Sequence, residues 1–304
     1  MRVIWNTLHP RPLTETFHEF ILYLLRTQYG QEWKDEQDKL PKEKQHILLR
    51  WQESYKGWRE AHQVTATKEG DRYGGEPSGD VLAFHLFAYD FYCLQVVNKL
   101  PDDMIKRLRR ADLFQGARYE IAVAAIIARA GFDLEWLTDP GQCEFIATHK
   151  RTGLKFGVEA KSRPRPGVLN QPGEFEEEAE TQKGVQNVFR KALSQRPKDL
   201  PFLIFIDLNL PSSPEIPFDK KKWFPQILEM LDARGPRSEE KTDIFNALVL
   251  TNFSFYYGGN IGPAPKGEFV VTVSRFPQVK LSNMAPINDI MGSLDRYPRI
   301  PMEV

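Results

Sequence analysis

Apolar residues recur along this chain with two different periods, and the change from one to the other divides it. From Thr14 to Tyr29, Phe17, Phe20, Ile21, Leu24 and Leu25 keep the three- and four-residue spacing of one helix face. The stretch from Trp33 to Ala61 is highly charged and keeps Leu48, Leu49, Trp51, Tyr55 and Trp58 as its apolar content. A loop from Glu69 to Asp80 leads into an apolar run that is predicted to be a buried helix, Val81 to Leu100. That run contains His85 and Asp90 and is too short to span a bilayer. Pro101 and two aspartates then open a basic helix, Met104 to Arg110.

Beyond that point helical and alternating patterns take turns. Asp112 is expected to cap the next helix, with Gln115 completing a capping box. The helix runs from Phe114 to Ala130 and stops at Gly131. Its inward stripe is Ala117, Ile121, Ala124, Ile127 and Ala128, with Glu120 at the edge. Phe132 to Leu137 reads as a strand, and Cys143 to Thr148 with Leu154 to Lys161 as a hairpin. After an irregular segment, Pro164 to Gly173, a helix is expected from about Phe175 to Gln195. The acidic run Glu174, Glu176, Glu177, Glu178 and Glu180 suits its start. Pro201 to Leu208 and Phe245 to Thr251 are apolar enough for central strands. Trp223, Ile227, Met230 and Leu231 mark a helix between them, and Phe269 to Ser274 is a last strand. Helix, three strands, helix, strand, helix and two strands make an α/β fold with a mixed sheet. The expected division is a helical domain, 1–105, and an α/β domain, 106–304.

Composition narrows the function classes. Lys and Arg number 41 and Asp and Glu also 41, so there is no basic coat, and phosphate binding would need a local patch. Cys93 and Cys143 form no disulfide framework, the six histidines show no zinc spacing, and no signal peptide is indicated. A reducing, cytoplasmic setting is the expectation.

The hairpin carries the candidate chemistry. If the bend His149 to Gly153 closes by pairing Lys150 with Gly153, cross-strand partners sum to 303 and Glu144 lies opposite Glu159. Alternation puts Glu159 and Lys161 on one face and turns Ala160 away. Two facing carboxylates destabilise a sheet unless a cation sits between them. The spacing therefore points to a metal site with a lysine beside it, and so to phosphodiester chemistry.

Gly116-Ala-Arg-Tyr-Glu120, Glu144 after the turn Asp139 to Gln142, and Val158-Glu-Ala-Lys161 together resemble the PD-(D/E)xK nuclease superfamily, over roughly Asp112 to Leu208. The resemblance implies a restriction-endonuclease-like domain, a central mixed sheet flanked by helices, following the helical N-terminal part. It further implies that Glu144 and Glu159 ligate Mg²⁺ or Mn²⁺, with the Ala160 carbonyl as a further ligand. Lys161 would be the catalytic lysine and Glu120 a ligand or supporting carboxylate. The family's second-strand acid is usually aspartate, which leaves Asp139 open as the alternative to Glu144. For Glu120 the alternative is a surface pairing with Arg118 or Arg129, and Asp207 reads as a strand-end residue. Lys150, Arg151, Lys155, Arg163 and Arg165 are expected to gather near the hairpin and hold a nucleic-acid backbone. Gln182, with Gln186 one turn on, is placed by the resemblance near the metal. The expected activity is hydrolysis of nucleic acid, DNA ahead of RNA. The second reading is a nuclease-fold module without catalysis that binds DNA or assembles with a partner or a second copy through its helices.

Overall fold

The chain begins with a small hairpin that the pattern had not indicated. β1 (Arg2–Ile4) pairs antiparallel with β2 (Thr7–His9), and Trp5 makes the turn at a φ of 50°. In this computed structural model the residues described are 2–12, 14–63, 75–139, 141–167, 181–211, 213 and 215–301. α1 (Phe17–Tyr29) opens with a reciprocal cap: the Glu19 N–H donates to the Thr16 hydroxyl, and the Thr16 N–H donates to the Glu19 carboxylate. α2 (Gln31–Asp38), α3 (Ile47–Gln63), α4 (Gly79–Val96) and α5 (Asp102–Leu108) follow. Then come α6 (Phe114–Arg129), β3 (Phe132–Trp136), β4 (Phe145–His149), β5 (Lys155–Ser162) and α7 (Thr181–Ser194). The chain continues through β6 (Phe202–Asp207), α8 (Trp223–Asp232), β7 (Ala247–Asn252), β8 (Glu268–Val273) and α9 (Ala285–Arg296). The first half of the loop from Glu69, the expected start of α7 and its acidic run lie outside the described residues.

The six-stranded sheet has the order β3-β4-β5-β6-β7-β8. β3, β4 and β5 run antiparallel, β5, β6 and β7 parallel, and β8 antiparallel to β7. The connections dictate this: a five-residue bend can only return a strand antiparallel, whereas the crossovers through α7 and α8 bring the next strand back parallel. Phe145, Ala147, Phe156, Val158 and Ala160 pack with α6 in one core, and Phe202 is joined by Ile204 and Ile206 in another with α7 and α8. The fold is α/β with a mixed sheet flanked by helices.

α4 is buried on nearly every side because α1 and α3 cover one flank and α6 the other. Phe84, Leu86, Phe87 and Phe91 belong to the same apolar core as Ile121, Ile127, Phe145 and Phe156. The change of composition near Pro101 is therefore not a break in packing, and the division at 105 crosses a continuous core. α4 also passes so close to the segment after β7 that a Cβ on Gly79 would lie 2.5 Å from Gly258 Cα. Among the described residues no helix is long and apolar enough to cross a membrane.

The expected cap of α6 is not formed. Leu113 stands at the N-cap in a helical conformation, and Asp112 is exposed in an ion pair with Arg110 at 2.6 Å. Gln115 is instead buried, donating to the Arg165 carbonyl at 3.0 Å and accepting the Arg165 N–H at 3.1 Å. At the other end Gly131 adopts a φ of 88°, as its helix-stopping role requires.

Asp90, in the middle of α4, is fully buried, and the Tyr297 hydroxyl donates to it at 2.9 Å. Burial pushes its carboxyl up to about 8, against the pull of Arg129. A carboxyl raised above its unfolded value costs stability as pH climbs from about 4 to about 8. Asp90→Asn should flatten that decline, so that thermal melts at pH 9 favour the variant while those at pH 5 do not. A chain starting at Asp102 lacks the cover of α6 and should bind a hydrophobic dye and show no cooperative melt. A soluble fragment that melts cooperatively would contradict the shared core.

Candidate active site

The β4–β5 ladder pairs Phe145 with Val158, Ile146 with Gly157 and Ala147 with Phe156, a register summing to 303. Extended one residue, it sets Glu144 across from Glu159. Glu144 stands just before β4 and is still tied to the sheet, its carbonyl accepting the Leu137 N–H at 3.0 Å. Glu159 and Lys161 lie on the same face of β5, near its C-terminal end, and Ala160 is buried on the other face, level with Phe205 of β6. Lys161 Nζ is 2.8 Å from Glu144 Oε1 and also contacts Glu159 Oε1. The cation between the facing carboxylates is thus the lysine ammonium itself.

Glu159 is fully buried, and neither of its oxygens has a hydrogen bond of normal geometry among the described residues. Burial pushes its carboxyl up to about 8; Lys161 opposes the rise and Glu144 adds to it. Burial works against the Lys161 charge too, yet Glu144 and Glu159 together hold its pKa above the ordinary lysine value. Glu120 is brought to the same place from α6. Arg107 of α5 grips its carboxylate with both guanidinium nitrogens, one at 2.6 Å. Burial lifts Glu120 to about 7, Arg107 resists, and the charge of Glu144 contributes. Three carboxylates therefore couple around one ammonium, two of them poised near neutrality, as happens at sites tuned for proton or metal chemistry.

The partner of Glu120 differs from both that the sequence offered. Arg118 is fully buried against Asp207 at 2.9 Å, and Arg129 lies over the Tyr89 ring at 5.1 Å. The only sequence signal for Arg107 was the basic run of α5. Asp207 is more than a strand end: it also accepts from Thr251 Oγ1 and from the Phe253 N–H, each at 3.4 Å. Asn209, just beyond β6, was not anticipated either. Buried at a φ of 53°, it donates to Ser162 Oγ and to the Arg163 carbonyl, and accepts from the Tyr257 hydroxyl. Asp139 is exposed and turned onto its own loop, accepting from Gln142 Nε2 at 3.2 Å. Of the two second-strand acids, Glu144 is the one beside Glu159.

The expected basic cluster is divided. Lys150 and Arg151 sit in the bend and Lys155 starts β5, six residues or about 20 Å along the strand from Lys161. Lys150 faces Asp133 at 3.6 Å and Arg151 pairs with Asp289 of α9 at 2.8 Å. Arg163 and Arg165 are at the site end. Arg163 Nε donates to the Leu208 carbonyl at 2.7 Å, and Arg165 is buried over the Tyr257 ring at 4.5 Å. Gln182 is in the first turn of α7, and Gln186 is exposed one turn on.

Glu144 and Glu159 offer hard oxygen donors, both already facing the Lys161 ammonium. Mg²⁺ is content with one or two carboxylates and water. The donor set fits Mg²⁺ or Mn²⁺ on those terms, but not a site closed by protein alone: among the described residues no group of three or more His, Cys, Asp or Glu gathers as a metal cage. No family model, curated protein or solved structure matches the chain, so the geometry carries the reading.

Lys161→Ala leaves Glu159 buried without its counter-charge. At pH 9, where Glu159 ionises, the variant should be clearly less stable than wild type, because a buried carboxylate is left without its counter-charge. At pH 6 Glu159 holds its proton in both, and the loss should be much smaller. Denaturant melts at the two pH values measure this; equal losses would mean that Lys161 does not counter Glu159.

Proposed function

We propose that the chain is a divalent-metal-dependent nuclease of the PD-(D/E)xK, restriction-endonuclease-like kind, acting on DNA ahead of RNA. The observation that carries the reading is the Glu144–Lys161–Glu159 group, in which a fully buried carboxylate and a second one face the same ammonium. Glu144 and Glu159 would hold Mg²⁺ or Mn²⁺, with the Ala160 carbonyl in reserve. When bound, the ion supplies Lewis acidity toward the phosphate and a more acidic water. Lys161 would keep its proton and use it to hold the attacking water or a phosphate oxygen. Glu120, oriented by Arg107, would keep a negative charge behind the group and accept a hydrogen bond from that water. Arg163 and Arg165 lie nearest for a phosphate backbone.

A second reading has one observation in its favour. The ammonium of Lys161 already occupies the space between the carboxylates, which is what a nuclease fold that has lost its metal and serves as a DNA-binding or assembly module would keep. Incubation with supercoiled, linear and single-stranded DNA and with RNA, in Mg²⁺, in Mn²⁺ and in EDTA, separates the two. Cleavage should need the metal, and Lys161→Ala and Glu159→Ala should each lower it roughly 10²–10³-fold, the usual cost of losing a group that stabilises transition-state charge. Cleavage that survives EDTA or both substitutions would remove this site from consideration. DNA binding without cleavage by the wild type would favour the second reading.

A further inference from the structure

The two edges of the sheet are guarded differently. β3, one edge, is five residues long and exposes Asp133 and Glu135, charges of the kind that discourage another strand from adding. β8, the other edge, reads Glu-Phe-Val-Val-Thr-Val, with no proline, no lysine and no bulge in its pairing with β7. Its one charge, Glu268, is taken up by Lys221 at 2.8 Å. Phe269 and Val271 pack into one core and Val270 into the other, so the strand is anchored through both faces and cannot twist its edge away.

The direction of its free backbone groups follows from the ladder. The Ser274 N–H donates to the Asn246 carbonyl, and the Leu208 N–H to the Thr251 carbonyl, so Thr251 faces β6 and its neighbours Leu250 and Asn252 face β8. In the β7–β8 register Leu248, Leu250 and Asn252 lie opposite Thr272, Val270 and Glu268, which form the hydrogen-bonded pairs. The N–H and C=O groups of Phe269, Val271 and Val273 then point away from β7, toward an edge that no other described strand pairs.

We propose that this edge is an interface at which two copies of the chain join their sheets, β8 pairing antiparallel with β8 about a two-fold axis at Val271. The outward groups are symmetric about that residue. Val271 meets Val271 of the second copy, and Phe269 meets Val273, with each facing pair exchanging both of its hydrogen bonds. In this register Thr272 lies beside Val270 and Glu268 beside Ser274, so no like charges meet, and β-branched and aromatic side chains are paired across the axis. A symmetric self-pairing needs only the surface the chain already has, which is why a second copy is the occupant rather than a foreign peptide. The inference is independent of the nuclease reading.

Sedimentation velocity across micromolar concentrations should show wild-type protein passing from monomer to dimer. Val271→Pro removes an edge donor that faces away from β7, a position where proline is tolerated. It should remain folded, with a cooperative melt, and stay monomeric at every concentration. A monomer at every concentration in the wild type, or a dimer that persists in a folded Val271→Pro protein, would overturn the proposal. Should the proline variant fail to fold, Val271→Cys decides: facing residues of a hydrogen-bonded pair are within disulfide reach, so oxidation should link two chains and a reductant release them. Wild type, which carries Cys93 and Cys143, is the control. No link beyond the control would refute the two-fold register. Slow amide exchange of Phe269, Val271 and Val273 that does not change with dilution would mean the edge is covered within one chain, and would refute it as well.

Discussion

The ion pair between Arg118 and Asp207 fixes where everything else at the sheet rim can be. Both side chains are fully buried, so each would be severely destabilising without the other. Asp207 closes β6 and gathers Arg118 from α6, Thr251 from the end of β7 and the Phe253 N–H beyond it. The Arg118 guanidinium carbon lies over the Tyr256 ring, 3.9 Å from its centre, and the Tyr119 hydroxyl meets Thr251 Oγ1 at 2.9 Å. The first half of α6 is thereby pinned over the ends of the parallel strands. Glu120, two residues along the helix, arrives at the rim because Arg118 is held there.

What the pin creates is an electrostatic imbalance kept in place by packing. Glu144, Glu159 and Glu120 outnumber the Lys161 ammonium, and the Arg107 guanidinium is committed to one of them. In water such a group would relax by separating. Here Glu159 is held by a strand whose neighbours on both sides are hydrogen-bonded, and Glu120 by a helix that cannot shift. The protein has two ways to relieve the imbalance, taking up a proton or taking up a cation, and the raised carboxyl values of Glu159 and Glu120 are the mark of the first. A fold built only for stability gains nothing from this arrangement.

Much of this rim was legible in the sequence because it depends on local rules. Alternation along β5 and a five-residue bend were enough to bring Glu144, Glu159 and Lys161 together, and the succession from α6 to β8 followed from apolar periods. The parts that were not legible depend on distance. Arg107 reaches Glu120 only because α5 and α6 pack, and nothing local prefers it to Arg118, which is closer in sequence but drawn to Asp207. The basic residues of the bend looked adjacent to Lys161 in the sequence, yet a strand of eight residues carries them to the opposite end of the sheet. Asp112 had the composition of a cap, but Arg110 offered its carboxylate a charged partner two residues away, and the helix began without it. The change at Pro101 was a change of composition only, since α4 is buried between helices on both flanks and joins what lies on either side of it.

The contact between Gly79 and Gly258 bears on how this chain can drift. Neither position tolerates a Cβ: one would meet the Gly258 Cα at 2.5 Å, the other the Gly79 Cα at 3.0 Å and Pro265 at 2.6 Å. The Asp80 N–H donates to the Gly259 carbonyl at 2.8 Å, and the Ala264 N–H to the Pro77 carbonyl at 2.8 Å, so the two segments are stitched together on both sides of the contact. Residues that touch only through their backbones cannot compensate for one another by exchanging size. In distant descendants of this fold, where surface and core alike have been rewritten, paired glycines separated by about the same stretch of chain, the first opening a buried helix, would outlast most other signals, and serve as a fingerprint of common descent.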